Sequence, residues 1–183
     1  MLLSGDLERE PVVESGYNAF QTKFGPNVLK QLDDRTLSEV MFNTGTRDSL
    51  LYWLEFKNDD EFQTNLYGSI MGGNALKFIV YKRVQDGRWV TGSPQKQQEL
   101  TDDEALRITR DIRDLLVSGA NLIEQLPADA SLDDYILLHD ALARSLDRYN
   151  MINRGWVHKY YHLLFPEKLC TFHALRYIEH GLV

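Results

Sequence analysis

The segment ALKFIVYKRV at residues 75–84 constrains the fold more than any other part of the chain, because it has the strongest strand pattern. Its alternation places Leu76, Phe78 and Val80 on one face and Lys77, Ile79 and Tyr81 on the other. The Gly-containing turn QDGR at 85–88 follows, so WVT at 89–91 is expected to pair back as the second strand of a hairpin.

Two further features bound the predicted sheet. SLLYWLEF at 49–56 is apolar nearly throughout and rich in aromatic residues, which favours a buried strand, and the acidic turn KNDD follows at 57–60. Gly92-Ser93-Pro94 is expected to end the sheet. The sequence therefore predicts a small antiparallel sheet over about residues 50–92.

Helical patterns precede the sheet. Residues 1–16 are polar and mixed, which predicts a flexible arm, and the spacing from Tyr17 to Phe24 predicts the first helix. Val28, Leu29 and Leu32 predict a second short helix, and Thr36 with Glu39 three residues later resembles the capping box of a third.

Helical patterns also follow the sheet. Thr101 and Glu104 form a second capping box, and the helix is expected to run to about Ser118, where Gly119 is a candidate terminator. Another helix is expected from Ser131 to about Asn150. Its predicted inner face consists of Ile136, Leu137, Ala141 and Leu142. The order of helices, sheet and helices predicts one α+β domain over residues 17–183.

Composition limits the function classes. The 183 residues are 43% hydrophobic and 26% charged, with a net charge of −7 and a pI near 5.2, so a nucleic-acid contact would need a local basic face. The single cysteine, Cys170, excludes an internal disulfide. No segment has the apolar length of a signal peptide or a membrane span, and we expect a cytoplasmic protein.

The glycines of YGSIMGGN at 67–74 resemble a phosphate-binding loop only in their spacing. Gly68 and Gly73 have the right separation, but Asn74 and Ala75 stand where the lysine and the hydroxyl residue are needed. We therefore expect no nucleotide cofactor, and the glycines are better explained as an entrance to the strand that follows.

Two enzymatic interpretations are weaker than their structural alternatives. His158 and His162, with His173 and His180 downstream, have the spacing of zinc ligands, but Lys159 stands where a zincin has its glutamate. Cys170 with His173 is a similarly weak nucleophile pair, since a lone cysteine is usually buried.

A metal-dependent nuclease is the third enzymatic alternative. Glu55 and Lys57 form a Glu-x-Lys motif at the predicted strand end, with Asp48 as the nearest partner and the carboxylates of residues 59–61 beside it. A solvated turn accounts for the same residues.

Basic residues interleaved with aromatic residues form two groups. The first consists of Lys77, Lys82, Arg83, Arg88 and Trp89, on or beside the hairpin, and the second consists of Arg154, Trp156 and Lys159. Cationic side chains contact phosphates and aromatic planes accept an unstacked base, so these eight residues are our candidate DNA-binding residues. A mixed surface with ordinary core aromatics is the alternative.

Several motifs together resemble a known family. They are YWLEFK at 52–57, YGSIMGGNALKFIVYKR at 67–83, WVTGS at 89–93, TDDEAL at 101–106 leading to RDLLVSG, and GWVHKYYHLLFPEKL at 155–169 with a following FH. Over about residues 49–173 the chain resembles the region ahead of the motor in McrB-like AAA+ proteins of modification-dependent restriction systems.

The resemblance implies a non-catalytic recognition module of a restriction or phage-defence system. In that family such a domain reads DNA, often with a modified base, while the motor hydrolyses GTP and a partner subunit cuts. The alternative from another class is an adaptor domain that docks the motor or the nuclease subunit. The acidic net charge departs from an isolated DNA reader, and the resemblance does not fix the ligand.

Overall fold

Residues 10–57, 77–92 and 96–169 are described by the computed structural model, and within them α-helices surround a small sheet. The helices are α1 (Glu10–Phe24), α2 (Pro26–Gln31), α3 (Asp34–Phe42), α4 (Leu50–Glu55), α5 (Asp102–Glu124), α6 (Leu132–Ser145) and α7 (Gly155–Leu164). The strands are β1 (Val80–Lys82), β2 (Trp89–Thr91) and β3 (Gln98–Leu100), and a 3-10 segment spans Arg148–Asn153. The predicted α+β class is confirmed.

The sheet is antiparallel with the strand order β1-β2-β3. Val80 pairs with Thr91, and Thr91 pairs with Gln98 on its other side, so β2 is the central strand. The predicted β1–β2 hairpin is confirmed, and Gly87 has φ +69° in its turn. Gly92 has φ +95°, and a Cβ there would lie 2.3 Å from Lys96 O, so the turn into β3 needs glycine.

The predicted limits of the sheet are wrong at both ends. SLLYWLEF forms helix α4, in which Ser49 Oγ accepts a hydrogen bond from Tyr52 N at 3.1 Å as the N-cap. This short helix is buried on nearly all sides, so its sequence lacks the polar face that would have indicated a helix. The sheet also continues beyond Gly92 into β3, an exposed edge strand with no alternating apolar pattern.

The N-terminal helices are correctly predicted, but two of their starts are wrong. Helix α1 begins at Glu10, so residues 10–16 of the predicted arm are helical. The cap of α3 is Asp33, whose Oδ1 accepts a hydrogen bond from Thr36 N at 2.9 Å. Glu39 is therefore not part of a capping box. Residues 67–74, the glycine segment, lie outside the described residues.

Helix α5 begins at the predicted capping box of Thr101 and Glu104 but does not end at Gly119. The helix continues through this glycine. Helix α7 crosses α5 there, and a Cβ on Gly119 would lie 2.0 Å from Tyr161 Oη. Close approach of two helices, and not helix termination, requires the glycine.

Helix α6 begins after its cap, Ser131, and ends at Ser145, earlier than predicted. Tyr149 and Asn150 have φ of 60° and 52°, which turns the chain towards α7. The predicted inner face of α6 is wrong in part, since Ile136 and Leu137 are exposed and Leu138 is the buried residue.

Helix α7 lies at the centre of the core. Tyr160 Oη donates to Phe24 O of α1 at 3.0 Å, and Tyr161 Oη donates to Leu116 O of α5 at 3.3 Å. Both tyrosines are buried, and burial raises the pKa of both phenols. Because α1, α5 and α7 share this core, the N-terminal and C-terminal helices form one packed unit.

Candidate functional site

The two arginines of the hairpin are held by carboxylates on the same sheet. Arg83 donates to Asp86 within the turn and to Glu99 Oε1 of β3 at 2.9 Å. Arg88 Nη1 lies 2.5 Å from Glu99 Oε2. Glu99 therefore bridges both arginines, and β3 carries the carboxylate that brings them together.

These ion pairs shift the pKa values of the groups involved. The Arg83 guanidinium lowers the pKa of Asp86 from 3.8 to about 2, and Arg88 and Arg83 together lower the pKa of Glu99. The hydrogen bonds to Asp86 and Glu99 raise the pKa of Arg83 in turn. The hairpin thus carries charges of both signs that are already matched.

Lys82 and Trp89 complete the hairpin surface. Lys82 Nζ lies 2.5 Å from Glu39 Oε1 of α3 and 5.5 Å from the centroid of the Trp89 ring. Trp89 is only 5% exposed. A base could not stack on this ring unless the hairpin moved, so Trp89 is positioned as a core residue.

The second basic group is tied to backbone carbonyls and a buried carboxylate. Arg154 Nη1 donates to Lys77 O at 2.9 Å, and burial lowers the pKa of its guanidinium. Lys77 Nζ lies 2.5 Å from the buried Glu55 Oε1. Lys159 is itself buried and donates to Leu54 O at 2.8 Å. These cations stabilise the contact between α4, α7 and the chain entering β1.

Trp156 lies inside the core. It is 2% exposed, and its ring stacks on Phe78 with centroids 4.9 Å apart. The ring of Phe42 meets it edge-on, with centroids 6.3 Å apart. Its Nε1 is buried without a hydrogen-bond partner among the described residues. The structure therefore places both candidate tryptophans in the core.

The histidines of α7 act as fixed hydrogen-bonding groups. His158 Nε2–H donates to Ile152 O at 2.6 Å, and His162 Nδ1–H donates to Leu169 O at 2.7 Å. Tyr17 Oη contacts His162 Nε2 at 3.2 Å, which joins α1 to α7. Burial lowers the pKa of both imidazoles. The pair with zinc-ligand spacing thus has a structural explanation.

The described residues contain no group of three or more histidine, cysteine, aspartate or glutamate side chains that could hold a metal ion. His173, His180, Cys170 and the carboxylates of residues 59–61 lie outside the described residues.

The Glu-x-Lys motif does not have the geometry that the nuclease alternative assumed. Glu55 ends a helix and not a strand, and Lys57 Nζ lies 3.9 Å from the centroid of the Trp53 ring. Asp48 is exposed, and Lys23 lies 2.5 Å from it and lowers its pKa. Each of these side chains has a structural partner, and the strand on which the interpretation depended is absent at 50–55.

An apolar surface that the sequence interpretation missed lies on α6. Its four large apolar residues, Leu132, Tyr135, Ile136 and Leu137, are 65%, 38%, 51% and 66% exposed, and we call them the α6 apolar face. The first three have the i, i+3, i+4 spacing of one helix stripe. The signal was present: the run YILL has more apolar residues than one inner face can use.

A cleft opens where α5 and α7 both end, beside the start of α2. It has a volume of about 410 Å³, and Gln21, Asn27, Asn121, Glu124 and Glu167 supply its polar lining. Glu124 is the last residue of α5, and Glu167 follows α7 closely. We call this the acidic cleft.

Lys168 connects the acidic cleft to the α6 apolar face. Its Nζ donates to Ile123 O, Glu124 O and Leu126 O at 2.8–3.2 Å, and its own carbonyl accepts a hydrogen bond from Tyr135 Oη at 3.0 Å. One residue thus contacts the end of α5 with its side chain and α6 with its backbone.

The fold and this surface define a helix-rich α+β domain in which, among the described residues, an exposed apolar helix face lies beside an acidic cleft. No protein-family model matches the chain, and no curated protein or solved structure is significantly similar to it. The resemblance to McrB-like proteins therefore stays a prediction. Among the described residues, no helix has the length and apolar character needed to cross a membrane.

Proposed function

We propose that this domain is a non-catalytic protein-interaction module that docks a partner protein through the α6 apolar face. The observation that carries the proposal is the exposure of Leu132, Ile136 and Leu137 on a helix whose inner side is already filled by Leu138. Single exposed apolar residues are normal, but adjacent ones mark interaction surfaces. Burying one such side chain contributes about 1.5–3 kcal/mol.

The McrB-like resemblance supplies the class of partner. We propose the AAA+ motor or the nuclease subunit of a restriction-type assembly in the cytoplasm, with this domain as an adaptor that needs no cofactor. Glu55 and Lys57 are both buried and both contact other side chains. These contacts support a module without its own catalysis.

DNA recognition, which the same resemblance implies, has one supporting observation. Arg88 is 61% exposed on the hairpin, next to the partly exposed Lys82 and Arg83. Contact with phosphates would require the arginines to exchange Glu99 for DNA. Because the carboxylates already neutralise this surface, we treat DNA binding as the alternative outcome of the test.

The test is co-expression with an McrB-like AAA+ motor and its nuclease subunit, followed by size-exclusion chromatography. We expect a complex that persists at moderate salt. Leu132→Asp/Ile136→Asp should lower its affinity by about thirtyfold or more. Val84→Asp is the matched control, since Val84 is 68% exposed but lies on the hairpin.

The DNA alternative is measured on the same preparations by fluorescence anisotropy with methylated and unmodified duplexes. Salt-sensitive binding that Arg83→Ala/Arg88→Ala abolishes, together with no complex, would replace docking by DNA recognition. A complex that Leu132→Asp/Ile136→Asp leaves intact would also contradict the proposal.

A further inference from the structure

The α6 apolar face and the acidic cleft are joined by a short piece of chain. Glu167 lines the cleft, and the next residue, Lys168, accepts the hydrogen bond from Tyr135 of the α6 apolar face. A ligand long enough to cross Lys168 would therefore contact both surfaces.

The electrostatics of the cleft favour a cation. Helix α7 ends there with the negative end of its dipole, α2 begins there with the opposite end, and the carbonyls at the end of α5 already bind Lys168. Glu124 and Glu167 add two carboxylates.

Acidic residues also border the α6 apolar face. Asp133 and Asp140 are exposed on the outer side of α6, next to Leu132 and Ile136, and Arg144 is an exposed cation one turn beyond Asp140. An acidic partner would therefore be repelled at both surfaces, whereas a basic one would find complementary charge at both.

We propose that the partner presents a basic amphipathic helix, whose apolar side chains pack on the α6 apolar face and whose lysine or arginine enters the acidic cleft. This inference rests on the proposed function and adds the chemistry of the partner. The mode of recognition is a helix laid along apolar anchors, with the charged cleft fixing its direction. The cleft volume of about 410 Å³ is within the range of pockets that take small groups.

The probe is a synthetic peptide of about 16 residues, near the length at which an isolated helix becomes marginally stable. It carries leucines at i, i+3, i+4 and i+7 with lysines beside them, and a second peptide has glutamate in place of every lysine. We expect the lysine peptide to bind the full chain and the glutamate peptide to bind at least tenfold more weakly.

Glu124→Gln/Glu167→Gln tests the cleft. Two partly exposed ion pairs predict a loss of about fivefold to tenfold for the lysine peptide at low salt, and the loss should shrink at high salt because the charges are screened. Glu14→Gln/Asp114→Asn removes two exposed carboxylates elsewhere and is expected to leave the affinity within about twofold.

The outcomes separate this inference from the proposed function. Binding that Ile136→Asp abolishes but Glu124→Gln/Glu167→Gln leaves unchanged would overturn the basic helix and keep the docking face. Lysine-peptide binding that Ile136→Asp leaves unchanged would overturn both.

Two other occupants would also overturn the inference. Ultracentrifugation that shows dimers lost in Ile136→Asp would identify a second copy on the α6 apolar face. Peptide binding seen only after residues 170–183 are removed would identify the chain's own end.

Discussion

The hairpin and helix α6 are two surfaces of one domain that differ in whether their side chains have partners among the described residues. On the hairpin, Arg83 and Arg88 share Glu99, and Lys82 is paired with Glu39. On α6, Ile136 and Leu137 are exposed, and Leu138 is the residue that the helix buries. The surface that looked functional from its residue types has its partners within the chain, and the surface that looked structural has none among the described residues.

The comparison shows that a cluster of one residue type indicates a binding site only when the contacts of its side chains within the protein are known. Residues that are paired inside the chain have to break existing contacts before they bind a ligand, whereas an exposed apolar face gains contacts without losing any. The comparison therefore favours α6 over the hairpin as the binding surface, and four measurements test it.

The largest expected effect is at Trp156. Trp156→Ala would remove a ring that stacks on Phe78 inside the core, and we expect a loss of about 3–5 kcal/mol in the free energy of unfolding. Urea denaturation measures it, with Val84→Ala as the control at an exposed position. A loss below about 1 kcal/mol would show that Trp156 is free to serve as a reading residue, and would restore DNA recognition by the second basic group.

Gly119 lies where α5 contacts α6. A substitution there tests whether the α6 apolar face depends on the packing of the core. A Cβ there would lie 2.0 Å from Tyr161 Oη and 3.3 Å from Leu142 Cδ2 of α6. We expect Gly119→Ala to cost about 1–3 kcal/mol because side chains must move out of their favoured positions.

The Gly119→Ala measurement is urea denaturation, combined with peptide binding on the folded variant. Arg107→Ala, at an exposed position of α5, is the control. Full stability of Gly119→Ala would contradict the close crossing of α5 and α7.

The hairpin and helix α7 should also differ in pH dependence. Burial lowers the pKa of His158 and His162 from 6.5, so the unfolded chain binds protons that the folded chain does not. Their contribution to stability is complete above pH 6.5 and is lost as the pH falls through the lowered values. For Asp86, with its pKa lowered from 3.8 to about 2, the contribution is complete above pH 3.8 and is lost as the pH falls through about 2.

Urea midpoints measured from neutral to acidic pH should therefore fall in two separate steps. His158→Gln/His162→Gln is expected to flatten the upper step, whereas His139→Gln, an exposed histidine on α6, should leave it in place. Asp86→Asn should affect only the lower step. An upper step that survives the loss of His158 and His162 would show that other groups cause it.

The parts of the fold that local chemistry determines were predictable from the sequence. Thr101 with Glu104 marked the start of α5, because a cap depends on residues three apart. Helix α4 was not predictable by periodicity, since a short helix buried all round has the same apolar run as a buried strand. Strand β3 was missed because an exposed edge strand needs no apolar alternation.

The site was less predictable than the fold because its contacts are distant in sequence. Glu39 is 43 residues from Lys82, and Glu99 is 16 residues from Arg83, so no local pattern could indicate that the basic residues are paired. The α6 apolar face had a local signal, but the choice of which apolar residues point inward depends on how α6 packs on α5.

The smallest expected effect on stability is at Ile136, and it is the sharpest test of the comparison. Ile136 and Leu138 lie two residues apart on α6, one 51% exposed and the other buried. We expect Leu138→Ala to cost about 2–5 kcal/mol and Ile136→Ala to stay within about 0.5 kcal/mol, because only the first removes contacts that the isolated chain makes. Urea denaturation at several protein concentrations measures both. Equal losses would mean that Ile136 is already covered in the free protein, and the α6 apolar face would then have no room for a partner.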